Sequence, residues 1–159
     1  MGFELRQDAK RWFKAFDKDI KQKTIIQFDL YYFCLIPGFI AKRRNMEIQS
    51  SDVDELFRDF PNVFRSRGEL LVGLLIHTEL SRLGIDLSER TSVYSKISEL
   101  VITTPPYLSE RGIKLMNQYA HGGFDLLCEK IDERPRSLET FIRKYNGVIQ
   151  DLKQNLPNY

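Results

Sequence analysis

At 159 residues the chain has the length of one domain, and folding at that size removes about two thirds of the unfolded chain's surface from water, so no metal or disulfide is needed to hold it. A composition of 42% hydrophobic and 29% charged residues excludes a disordered or collagen-like chain. The net charge of +2, from 24 basic against 22 acidic side chains, gives no global electrostatic case for nucleic acid, so any such case rests on local patches.

In chain order, Leu5, Ala9, Trp12, Phe13, Phe16 and Ile20 recur at three- and four-residue steps and predict a first helix with one apolar face. Its other face carries Arg6, Lys10, Arg11, Lys14, Lys18 and Lys21. Residues 28–44 are apolar on nearly every side and predict a buried helix, broken or kinked at Pro37-Gly38. Ser50 followed by Asp52, Asp54 and Glu55 reads as a capped helix start with acids in its first turn, ending before Pro61. The row of leucines from Glu69 to Leu83 predicts the central core helix, with Gly84 as the residue that ends it. A further helix over 90–101 stops at Thr103-Thr104-Pro105-Pro106.

Ser109 caps the next helix, through Ile131, with Gly122-Gly123 as a weak point where it bends. Ser137 caps a last helix through Leu152. The fold class is all-α: a single irregular bundle of six to seven helices forming one domain over 1–159. A strand at 24–28, where β-branched residues cluster, is the alternative there. Cys34 and Cys128 each sit in an apolar run without C-x-x-C spacing, which predicts buried free thiols. The opening residues lack the apolar core of a signal peptide, and the longest apolar stretch, 30–36, is far short of the ~20 residues of a membrane helix; a cytoplasmic protein is expected.

Phosphate-binding glycine loops, H-E-x-x-H and G-x-S-x-G are absent, so no cofactor or metal is expected and the common nucleotide, zinc-peptidase and serine-hydrolase classes lack support. The two histidines are His77, read as a core imidazole in the most apolar helix, and His121. Asn117 and His121 stand four residues apart on one helix face.

The stretch Met116-Asn117-Gln118-Tyr119-Ala120-His121 resembles the Arg-Asn-x-x-x-His motif of the HEPN superfamily, helical proteins that include many ribonucleases of bacterial defence and toxin systems. In those relatives the arginine and histidine meet across a dimer and act on the RNA phosphodiester bond. The resemblance therefore implies a helical fold, with Asn117 and His121 as the catalytic pair. Met116 stands in the arginine position, and without a cation there, transition-state stabilisation worth ~3 kcal/mol is lost.

Two functional readings follow. In the first, the chain is a non-catalytic helical interaction module, a subunit or accessory protein of a larger bacterial assembly, similar in general look to accessory proteins of defence operons. Its basic residues Lys10, Arg11, Lys14 and Lys18, with the separate cluster Lys42, Arg43 and Arg44, then contact nucleic acid or an acidic partner, and a protein partner or a homo-oligomer is expected. A solvated helix face is the plainer account of the same charges. In the second, the chain is a HEPN-like ribonuclease, active or degenerate, centred on His121.

Overall fold

Along Phe3–Arg6, Phe3 and Leu5 are sealed while Glu4 and Arg6 stay half-buried. That two-residue alternation is what a strand with one face on a core requires, and this segment is strand β1 in the computed structural model, which describes residues 1–156. It pairs antiparallel with β2, Val53–Phe57, placing Leu5 opposite Asp54 and Arg6 opposite Val53, with an irregularity between Phe3 and Glu4. The helix expected from Ser50 is thus one 3-10 turn, Ser50–Asp52, leading into a strand. The capping signature is outweighed because β1 offers Val53–Phe57 a paired edge and Lys10 offers Asp54 a cation.

The expected first helix is divided for the same reason. Leu5 belongs to β1, Arg6 is still extended, and the helical part is α1, Gln7–Trp12, followed by a 3-10 turn at Lys14–Phe16 and α2, Asp17–Lys21. The tightened turn converges three aromatic rings on one: Trp12, Phe13 and Phe16 lie 6.0, 5.6 and 5.3 Å from Phe141 between ring centroids. Each such aromatic pair adds about 0.5–1.5 kcal/mol beyond its area burial.

Helix α3 spans Gln27–Ala41; its Asp29 carboxylate accepts from the Ile26 N–H at 2.7 Å, so the β-branched segment before it feeds a helix start and not a strand. Pro37 lies inside α3 without breaking it. The helix ends where Lys42 turns left-handed (φ 53°), letting the N–H groups of Lys42 and Arg43 donate to the carbonyls of Phe39 and Gly38. Then come α4 (Arg65–Arg82), α5 (Arg90–Leu100), α6 (Glu110–Lys130) and α7 (Leu138–Gln154). The hydroxyls of Ser109 and Ser137 accept from the N–H groups of Gly112 and Thr140, as the sequence predicts, and Gly84 ends α4 with φ 68°. The architecture is mostly helical, a multi-helix bundle with one two-stranded sheet.

The central element is α6, buried on nearly all sides, rather than α4. Helix α4 lies at the edge of the bundle: it buries Leu71, Val72, Leu75 and Glu79 but leaves Leu70 61% exposed. His77 sits on that outward face and is exposed, so it is not a core imidazole. Gly122-Gly123 does not break α6, which runs unbroken through it. A Cβ at Gly123 would overlap the Cys34 carbonyl oxygen, and one at Gly38 the Tyr119 carbonyl oxygen, so the glycines let α3 and α6 pack backbone against backbone. Cys34 is buried in this contact; Cys128, one turn beyond it on α6, is exposed. No helix among the described residues is long and apolar enough to cross a membrane.

Candidate functional site

Asn117 and His121 share one face of α6, as their spacing requires, but the structure gives them different work. Asn117 is 4% exposed. Its Oδ1 accepts from the Tyr31 hydroxyl at 2.9 Å and the Glu4 N–H at 3.1 Å, and its Nδ2 donates to the Gly2 carbonyl at 3.0 Å. The amide thus caps the edge of β1 turned away from β2, satisfying backbone groups that would otherwise be buried without partners. Asn117 is a fastener between β1, α3 and α6, and its acceptor is occupied twice over.

His121 is 6% exposed, and burial, helped by the nearby Arg6 cation, pushes its imidazole down to about 4; the carboxylates of Asp125 and Asp8 oppose this only in part. The ring is neutral at pH 7, and a base this weak contributes little to abstracting a proton at that pH. The cation beside it, absent from the motif position where Met116 is fully buried, comes from β1: Arg6 donates to the His121 carbonyl at 3.2 Å. Arg6 is already committed to Asp8 at 2.7 Å and Asp125 at 2.6 Å and lies 4.9 Å from the Phe124 ring centroid. Asn45 adds a further hydrogen bond to Asp125 at 2.8 Å. Sequence reasoning placed Arg6 on a solvated strip and missed Asp125; residues 119 apart that carry opposite charge give no local signal.

His121 lines a cleft of about 220 Å³ between α6 and the segment preceding β2, together with Lys114, Asn117 and Gln118 from successive turns of α6. Among the described residues no group of three or more histidine, cysteine or carboxylate side chains is placed to hold a metal ion.

A second buried polar group escaped the sequence entirely. Glu79, 1% exposed, receives Arg82 at 2.6 Å and the Tyr119 hydroxyl at 2.7 Å. Burial raises the Glu79 carboxyl and these two donors more than offset it, so it is held below its ordinary value and stays ionised. Tyr119→Phe removes one of the donors to a buried charge and is expected to destabilise the fold by about 1.5–3 kcal/mol in a urea titration at neutral pH. An unchanged midpoint would mean that the hydroxyl adds nothing to the stability of this carboxylate.

The basic residues divide into two places. Lys10, Arg11 and Lys14, with one carboxylate, Asp17, line a groove of about 360 Å³ whose apolar side comes from Leu5 of β1, Ile20 of α2, Leu30 of α3 and Leu56 of β2. Lys10 is paired with Asp54 at 3.0 Å, both partly exposed. Arg11, Lys14 and Lys18 are exposed, and among the described residues none of the three has an ion-pair partner. The cluster at the end of α3 is turned to α6 instead: Arg43 makes a two-point pair with Glu129 at 2.6 and 2.8 Å, and Arg44 reaches toward Gln118. Lys42 occupies the left-handed position that ends α3. The structure therefore brings Lys10, Arg11 and Lys14 together on one groove, and leaves Lys42, Arg43 and Arg44 outside it. No protein-family model, curated protein or solved structure matches this chain.

Proposed function

We propose that the protein is a non-catalytic interaction module that holds an acidic, partly apolar segment of a protein partner in the groove beside α1 and α2. The observation that carries this reading is the coincidence of uncommitted cations, Arg11 and Lys14, with an apolar wall of Leu5, Ile20, Leu30 and Leu56 in one concavity. A carboxylate-bearing segment with apolar side chains satisfies both halves of such a groove, because the side chains leave water while the charges pair at the rim. Asp54, paired with Lys10 on the exposed rim, is a carboxylate of the kind the partner would supply to Arg11 and Lys14. The hydrolytic reading has less support: Asn117 is tied to β1, and Arg6, the arginine bonded to the His121 carbonyl, is already paired with two carboxylates. In this reading the protein serves as a cytoplasmic accessory subunit of a larger bacterial assembly, and defence systems are where it would be sought first.

The test is a titration of the protein with a fluorescent peptide alternating glutamate and leucine, beside double-stranded DNA, single-stranded DNA and RNA, across a salt series. The peptide should bind with an affinity that falls as salt rises. The triple variant Lys10→Ala, Arg11→Ala, Lys14→Ala should bind it about tenfold more weakly, the loss of two exposed ion pairs, at Arg11 and Lys14, of ~0.7 kcal/mol each, since Lys10 is already held by Asp54. Tight binding of any nucleic acid in place of the peptide would overturn the choice of partner. RNA cleavage that disappears in His121→Ala would replace the module by an enzyme.

A further inference from the structure

The cleft at His121 is polar in a way that the fold does not use. Among the described residues the sealed polar side-chain atoms without a partner are Asp19 Oδ2 and Tyr145 Oη, and no ring nitrogen of His121 is one of them. Nor does any described protein atom hydrogen-bond to that ring; apart from the bonds of the helix itself, the bond at His121 is the one its backbone carbonyl accepts from Arg6. A residue 6% exposed whose ring nitrogens are neither partnered nor sealed must present them to the concavity it lines, and that concavity is the 220 Å³ cleft. Gln118, 8% exposed and on the same wall, stands likewise: its Oε1 faces Arg44 at 3.5 Å, while its Nε2 has no described partner. Asn117, on the same wall, has one of its two amide hydrogens taken by the Gly2 carbonyl.

These groups define a complement. The histidine offers one ring N–H donor and one bare ring nitrogen as acceptor, and the Gln118 amide adds a donor. At the rim Lys114 and Glu4 are of opposite sign, so the cleft favours neither an anion nor a cation. Ile48 and Val53 supply apolar wall, and at 220 Å³ the space is below the usual range for drug-sized ligands. The geometry points to a binding site for a small uncharged planar molecule bearing an amide-type edge, with an adjacent donor and acceptor that pair with His121 and Gln118. The neutral state of the buried imidazole suits such a ligand, since a charged ring would have two donors and no acceptor. This site is separate from the basic groove and does not depend on what that groove holds.

Nicotinamide is the probe, with nicotinate as its anionic counterpart, followed by protein-observed NMR on the full chain at neutral pH. Saturable shifts confined to residues 1–4, 45–53 and 114–121 are expected, at the millimolar level that few ligand atoms allow. Nicotinate should bind at least tenfold more weakly. His121→Phe, which keeps the space filled, and Gln118→Leu should each weaken nicotinamide about tenfold while the remaining spectrum stays that of the folded protein. Two outcomes would overturn the assignment: no saturable shifts in the folded wild-type protein, or equal affinity in the wild type and His121→Phe. Preference for nicotinate would show instead that the cleft selects an anion, contrary to the proposal.

Discussion

Gly123→Ala is expected to cost more than ~3 kcal/mol, a large fraction of the roughly 5–15 kcal/mol that holds an ordinary domain folded. A methyl group at this position would overlap the Cys34 carbonyl oxygen and lie 2.8 Å from the Gly38 nitrogen. Both neighbours are backbone, so no side chain can rotate away, and relief requires α3 to move off α6. That movement would loosen Phe39 from Tyr119, now 5.3 Å apart between ring centroids, and disturb the bundle at its most buried helix. Gly73→Ala in α4 and Gly147→Ala in α7 are the controls. Neither new methyl group would meet an atom within 4 Å, so each should stabilise the protein by about 0.5–1 kcal/mol, the ordinary gain of alanine over glycine in a helix. Urea midpoints of the three variants measure the contrast, and equal effects at all three positions would show that α3 and α6 are not in backbone contact.

Protonation of His121 should make the fold acid-sensitive by about 3 kcal/mol. The imidazole has an ordinary value of 6.5 in the unfolded chain and is pushed down to about 4 in the fold by burial. The unfolded state therefore binds this proton more tightly, so the histidine costs nothing above about pH 6.5, costs progressively more as pH falls toward 4, and adds no further loss below. Arg6 from β1 deepens the shift, while Asp8 from α1 and Asp125 from α6 moderate it. His121→Gln removes the titration and leaves the carboxylates in place. The difference in unfolding free energy between variant and wild type, followed from pH 7 to pH 4, should thus change by about 3 kcal/mol in favour of glutamine. A flat difference across that window would place His121 in water.

Much of the bundle was legible because the signals lie in short stretches. The serines before α6 and α7 cap them as read, and the apolar periods of those two helices are long enough to be unambiguous. The first helix was misread because Leu5 fits a four-residue step as well as it fits a strand; only β2, nearly 50 residues on, decides between them. That strand was hidden in turn behind a serine and three acids that look like a helix start. Gly122-Gly123 looked like weakness since the close approach that justifies it is made by another helix. The leucine-rich α4 looked central, yet its exposed Leu70 and His77 show that apolar content does not tell how many sides a helix has covered.

The candidate sites divide in the same way. Lys10, Arg11 and Lys14 could be seen as one strip, but the apolar wall beside them is assembled from β1, α2, α3 and β2 and has no sequence signature. Asn117 and His121 could be seen as a pair, but the partners that distinguish them, the backbone of β1 for one and open cleft for the other, are distant in the chain.

The central claim is that the basic groove, and not the face of α6, is where the protein meets its partner. It is tested most directly by comparing peptide affinity in the wild type, in the Lys10, Arg11, Lys14 triple-alanine variant and in His121→Ala, by calorimetry at neutral pH. The account predicts about a tenfold loss in the triple variant and an affinity within twofold of wild type in His121→Ala. The reverse order, with the triple variant unchanged and His121→Ala impaired, would contradict it.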